Sequence, residues 1–191
     1  MSFNKILKNL KFENTSRFIL SFNERHQISK SLLDKDDAVY IKTEEFKILK
    51  YDILGPRYAA FTSLSYDAAL TLYNVDKKEL IALRLYNNYL LLNNIISYLK
   101  KNKIDGSAEA RLFGFNTNLD NKFISATINL VRKNEIEFYE VDILGNEIRN
   151  IALDLKTGQT FNILMNNRLY KPGELINKQT LEEFEFALHH P

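Results

Sequence analysis

The stretch DKKELIALRLYNNYLLLNNIISYLKK, residues 76 to 101, decides how the rest of the chain is read. Within it Ala82, Leu85, Tyr89, Leu92, Ile96 and Leu99 recur at alternating spacings of three and four, the seam of an amphipathic helix. Leu83, Tyr86, Leu90, Leu91, Ile95 and Tyr98 widen the apolar surface past a single stripe, so the helix is expected to be enclosed on several sides. Asp76 and Glu79 have capping-box spacing at its start. Lys100, Lys101 and Lys103 stand where the negative end of a helix dipole favours cations. The reading is a helical segment over 65–103, opening near Ser65 in SYDAALTLYN and restarting at Asp76, with one long central helix from about 77 to 102.

Outward from this helix the patterns become β-like. In the N-terminal part, 1–60, the runs RFILSF (17–22), AVYIK (38–42) and EFKILKYDI (45–53) are rich in strand formers, and Gly55 and Pro56 close the last of them. From 109 the period switches to two. In FISATINLV, Ile124, Ala126, Ile128 and Leu130 alternate with Ser125, Thr127 and Asn129, which predicts a half-buried strand. EIEFYEVDI, EIRNIALDLK and QTFNILM follow after short breaks, so 109–170 is expected to be an antiparallel meander. Thr180 and Glu183 form a second capping box and open a terminal helix over 178–190. The expected fold is one α+β domain over 1–191: an antiparallel sheet, mainly the C-terminal meander, packed against a long central helix and a C-terminal helix.

Composition narrows the function classes. A chain of 191 residues with 45% hydrophobic content can bury a full core, and no cysteine is present to form a disulfide or a thiolate metal site. The net charge of +2 disfavours a nucleic-acid partner unless a local basic patch exists. Leu85 to Leu99 carries one cluster of uncharged residues too short for a membrane span, which needs about 20 mostly apolar residues. The first residues, MSFNKILKNLKF, lack the apolar core and cleavage site of a signal peptide. The expected location is the cytoplasm or an intracellularly assembled complex.

One stretch offers catalytic chemistry: EVDILGNEIRNIALDLKTG, residues 140 to 158. An acid at the end of one strand and Asp-x-Lys in the next place Asp154 and Lys156 on one face, where a carboxylate can hold a metal and an ammonium can stabilise developing charge. This pattern resembles the core of the PD-(D/E)xK nuclease superfamily. The resemblance implies that Asp142 and Asp154 are ligands of magnesium or manganese and that Lys156 is the catalytic lysine. The same acid-x-Lys spacing recurs at Glu45–Lys47, Asp76–Lys78 and Asp120–Lys122. The alternative is a surface hairpin, with Asp154 and Lys156 on the solvated face of a strand whose other face is Ile151, Leu153 and Leu155.

Other motifs are missing. His26, His189 and His190 lack metal-ligand spacing, and no Gly-rich phosphate loop or nucleophile elbow occurs. Arg168, Tyr170 and Lys171, in a Pro-Gly loop, are candidates for partner binding. So are Asn87 and Asn94, seven apart on the polar edge of the central helix, where they could specify register against another helix. The expected function is a non-catalytic protein-interaction or assembly subunit, in the manner of an immunity protein or a structural component of a complex, without metal or cofactor. It is expected to bind a protein partner or itself. Aromatic content supports this, with 13 Phe and 10 Tyr, residue types that anchor interfaces. The alternatives are the nuclease and a small-ligand carrier with its pocket between sheet and helix.

Overall fold

The computed structural model describes residues 18–21, 25–33, 36–102, 107–115, 121–145 and 147–165. In chain order the described elements are β1 (Phe18–Ser21), β2 (His26–Ser29), a 3-10 turn (Lys30–Leu32), β3 (Ala38–Tyr40), β4 (Phe46–Lys50), β5 (Tyr58–Leu64), β6 (Ala68–Asn74) and β7 (Glu79–Leu85). They continue with α1 (Tyr89–Asn102), β8 (Ala108–Gly114), α2 (Asn121–Lys133), β9 (Glu137–Ile143), β10 (Arg149–Asp154) and β11 (Thr160–Leu164). The strands form two sheets, one ordered β1-β9-β8-β6-β7-β4 and the other β2-β11-β10-β5-β3.

This corrects the expected fold. The chain is mostly β, and no long central helix spans 77–102. Residues 68–85 form the antiparallel hairpin β6–β7, in register from Ala68 opposite Leu85 to Asn74 opposite Glu79. Asp76, taken as a helix cap, lies in the hairpin turn instead, where Asn74 Oδ1 accepts from the Lys77 amide at 2.8 Å and Lys78 takes a left-handed φ of 49°. The physical reason is burial on both faces. Leu80 and Ala82 enter the core between the sheets, while Ile81, Leu83 and Leu85 enter the core under the helices. A strand buried on both sides has no polar face, so its run of apolar residues also satisfies a helical template.

Helix α1 is real but short. Asn88 caps it, with Oδ1 accepting from the Leu91 amide at 2.9 Å. Leu92, Ile95 and Leu99 supply its buried side. The segment expected to be a strand at FISATINLV is α2. Phe123, Ile124, Thr127, Ile128 and Val131 are buried, a spacing of one, three and four, and Thr127 Oγ1 donates back to the Phe123 carbonyl at 2.9 Å. Ile124 and Ile128 belong to both templates, which is why alternation read plausibly there.

The antiparallel meander is likewise replaced. β8 and β9 are parallel and need a crossover, which α2 provides. β9 lies in the six-stranded sheet and β10 in the five-stranded one, which among the described residues leaves β10–β11 as the hairpin of that region. The result is three layers. Helices α1 and α2 pack on one face of the six-stranded sheet through Leu70, Leu72, Phe138 and Val141. The five-stranded sheet packs on the other face, where Ala69, Tyr73 and Phe113 meet Ala59, Phe61, Ile151 and Leu153. The expected helix over 178–190 lies outside the described residues. Among the described residues no helix is long and apolar enough to cross a membrane.

Candidate functional site

The space between the sheets is apolar on one side and ionic on the other. Strand β8 presents Glu109, Arg111 and Phe113 toward the second sheet, because Ala108, Ala110 and Leu112 alternate with them into the helix-side core. β9 presents Glu140 and Asp142 in the same direction, opposite Arg111 and Phe113. A register shift between Ala110 and Arg111 makes Tyr139 the extra residue of a bulge, a device that re-aims side chains. The Tyr139 ring lies 4.6 Å from the Arg111 guanidinium carbon.

Arg25, just ahead of β2, ties this face together. Its Nε donates to Glu140 Oε1, its Nη1 to Asp142 Oδ2 at 2.6 Å, and its Cζ lies 5.0 Å from the Phe113 ring centre. Asp142 is fully buried and also accepts from Arg149 Nε at 2.8 Å through Oδ1. Arg111 Nη2 donates to Glu109 Oε2 at 2.7 Å. Each buried charge therefore has an opposite partner, the condition under which such groups are tolerated in an interior.

Beside these groups lies a cavity of about 320 Å³. It is lined by Ser21, Arg25, Glu109, Arg111, Tyr139 and Glu140, and by Thr157 to Thr160 where the β10–β11 turn enters β11. Gly158 shapes that turn. Its φ is +72°, and a Cβ there would meet the Tyr73 ring at 2.5 Å, so only glycine allows this approach.

The catalytic candidates stand on different sheets. Asp142 belongs to the six-stranded sheet and Asp154 to the five-stranded one. Asp154 is buried rather than solvated. Its Oδ2 accepts from Arg57 Nε at 3.0 Å and Nη2 at 2.8 Å, and its Oδ1 from the amides of Lys156 at 2.7 Å and Thr157 at 3.2 Å. The bond to Asp154 raises the pKa of Arg57 further above its ordinary value. Lys156 is exposed. Among the described residues no three His, Cys, Asp or Glu side chains gather as a metal site.

The partner-binding candidates are also separated. Asn87 is exposed in the turn before α1 with φ +46°, and Asn94 is exposed on α1, so they do not share a helix edge. Arg168, Tyr170 and Lys171 lie outside the described residues. Sequence reasoning missed Arg25, Arg111, Glu140 and Arg149. The alternation of AEARLFG held a signal for Glu109 and Arg111 sharing a face, but that signal reads equally as a solvated face. No family model matches this chain, and no curated protein does.

Proposed function

We infer that the protein is a non-catalytic interaction or assembly subunit. The observation that carries this reading is a set of exposed apolar side chains on the connections at one end of the six-stranded sheet. Ala68 pairs with Leu85, so the connection entering β6 and the one leaving β7 emerge at the same end. Tyr66 is 56% exposed on the first, and Tyr86, Tyr89 and Leu90, the last 72% exposed, follow on the second. Tyrosine and large aliphatic side chains concentrated on one exposed end suit a protein interface more than a solvated surface. The ion pairing of Asp142 and Asp154 supports the same reading, because each carboxylate is already engaged by arginine.

The test is association. Sedimentation of the intact chain at micromolar concentration is expected to show an oligomer, or a partner is expected to co-purify. The double substitution Tyr86→Ser with Leu90→Ser should abolish that association without changing the far-UV circular dichroism. A monomer with no partner, or association indifferent to this pair, refutes the proposal.

A further inference from the structure

We propose that the cavity beside Arg25 and Arg111 binds a small zwitterion, an amino-acid-like ligand that offers an ammonium group to Glu140 and a carboxylate to Arg111. The volume of about 320 Å³ lies in the range of small-molecule sites, at its lower end. What sets this cavity apart is its charge chemistry. Two of the lining ionisable residues are cationic, Arg25 and Arg111, and two are anionic, Glu109 and Glu140, giving +2 and −2, a formal sum of zero.

Both signs hold unused hydrogen-bonding capacity. The Glu140 side chain is only 3% exposed; its Oε1 accepts from Arg25, and its Oε2 accepts from no described residue. That oxygen is left for an ammonium group entering the cavity, which would bind it through a charge-assisted hydrogen bond. On the cationic side Arg25 Nη2, Arg111 Nε and Nη1, and the Thr160 hydroxyl are buried with no partner among the described residues.

Those donors are covered, so the ligand's carboxylate needs an opening, and Glu109 supplies one. Its side chain is 34% exposed while that of Arg111 is 3% exposed. Glu109 can therefore swing to solvent at little cost and leave Arg111 Nη2 to the incoming carboxylate. Arg111 itself is held in place by the Tyr139 ring. A phosphate entering the same space would confront two carboxylates, and a simple amine would confront two guanidinium groups. Only a ligand with both charges matches both walls.

Isothermal titration calorimetry of the intact chain tests this with individual amino acids as probes, and with acetate, methylamine and inorganic phosphate as single-charge controls. At least one amino acid is expected to bind where no control does. Glu140→Gln should weaken that binding by about tenfold or more, the loss of one charge-assisted hydrogen bond. Glu109→Ala should leave the affinity equal or tighter, because it removes the competitor for Arg111. Val75→Trp fills the rim from a half-exposed position and should block binding with the fold retained, which keeps the test decisive if Glu140→Gln does not fold. The proposal is overturned by phosphate or acetate binding as well as any amino acid, by no heat from any amino acid at millimolar concentration, or by binding that survives Val75→Trp.

Discussion

Replacing Asp154 by alanine separates the tertiary structure from the strand pattern of the sequence most sharply. As a solvated strand residue, Asp154 would be nearly silent on substitution, below about 0.5 kcal/mol. The structure gives a different figure. Oδ1 caps the β10–β11 turn through the amides of Lys156 and Thr157, at 2.7 and 3.2 Å. Removing an aspartate that caps two amides in this way costs about 0.5 to 2 kcal/mol, by analogy with helix N-caps. The Arg57 guanidinium loses its ion pair, but its side chain is 53% exposed and returns to water, so this part is at most about 1 kcal/mol. The sum is about 2 kcal/mol, which for a chain of this size lowers Tm by roughly 4 to 8 °C. Urea melts read by circular dichroism would measure it, with Arg57→Ala as the companion variant expected to lose less. A loss below about 0.5 kcal/mol for Asp154→Ala would refute the reasoning and return Asp154 to the solvated face.

Three further outcomes follow from the packing. Gly158→Ala should destabilise the fold by more than about 1 kcal/mol in the same melts, because the residue would need both a left-handed φ and a shift of the Tyr73 ring. Leu92→Ala, at a buried position of α1 facing the six-stranded sheet, should cost about 2 to 5 kcal/mol; a change under about 0.5 kcal/mol would show that α1 is not part of the core. Alkaline pH should weaken the fold through Tyr73, whose hydroxyl donates to the Leu155 carbonyl at 2.9 Å, and through Tyr58 and Tyr98. Burial raises the pKa of all three above the ordinary tyrosine value. Their contribution is therefore complete below about pH 10 and is lost as pH rises through the folded-state values, so urea midpoints should fall above about pH 10 and stay level between about pH 8 and 9.

Local sequence determined those elements whose own residues settle the choice. AVYIK and EFKILKYDI contain β3 and β4, and EIEFYEVDI, EIRNIALDLK and QTFNILM contain β9, β10 and β11, because β-branched and aromatic residues bounded by turn signals favour strands wherever they end up. The apolar spacing from Tyr89 to Leu99 falls within α1, although the helix expected from it began too early, near 77. Tertiary structure decided the remainder. Residues 68–85 became a hairpin because sheets and helices cover both of its faces, a condition that erases the alternation by which a strand is recognised. Residues 121–133 became a helix because the parallel pairing of β8 with β9 requires a crossover, although alternation suited the same residues. The placement of the acids was also a long-range matter. Asp142 meets Arg25 across 117 residues and Asp154 meets Arg57 across 97, and two consecutive strands carry these acids into different sheets. No local period encodes which sheet a strand joins or which arginine reaches a carboxylate, since both depend on how distant apolar faces pair when the layers close.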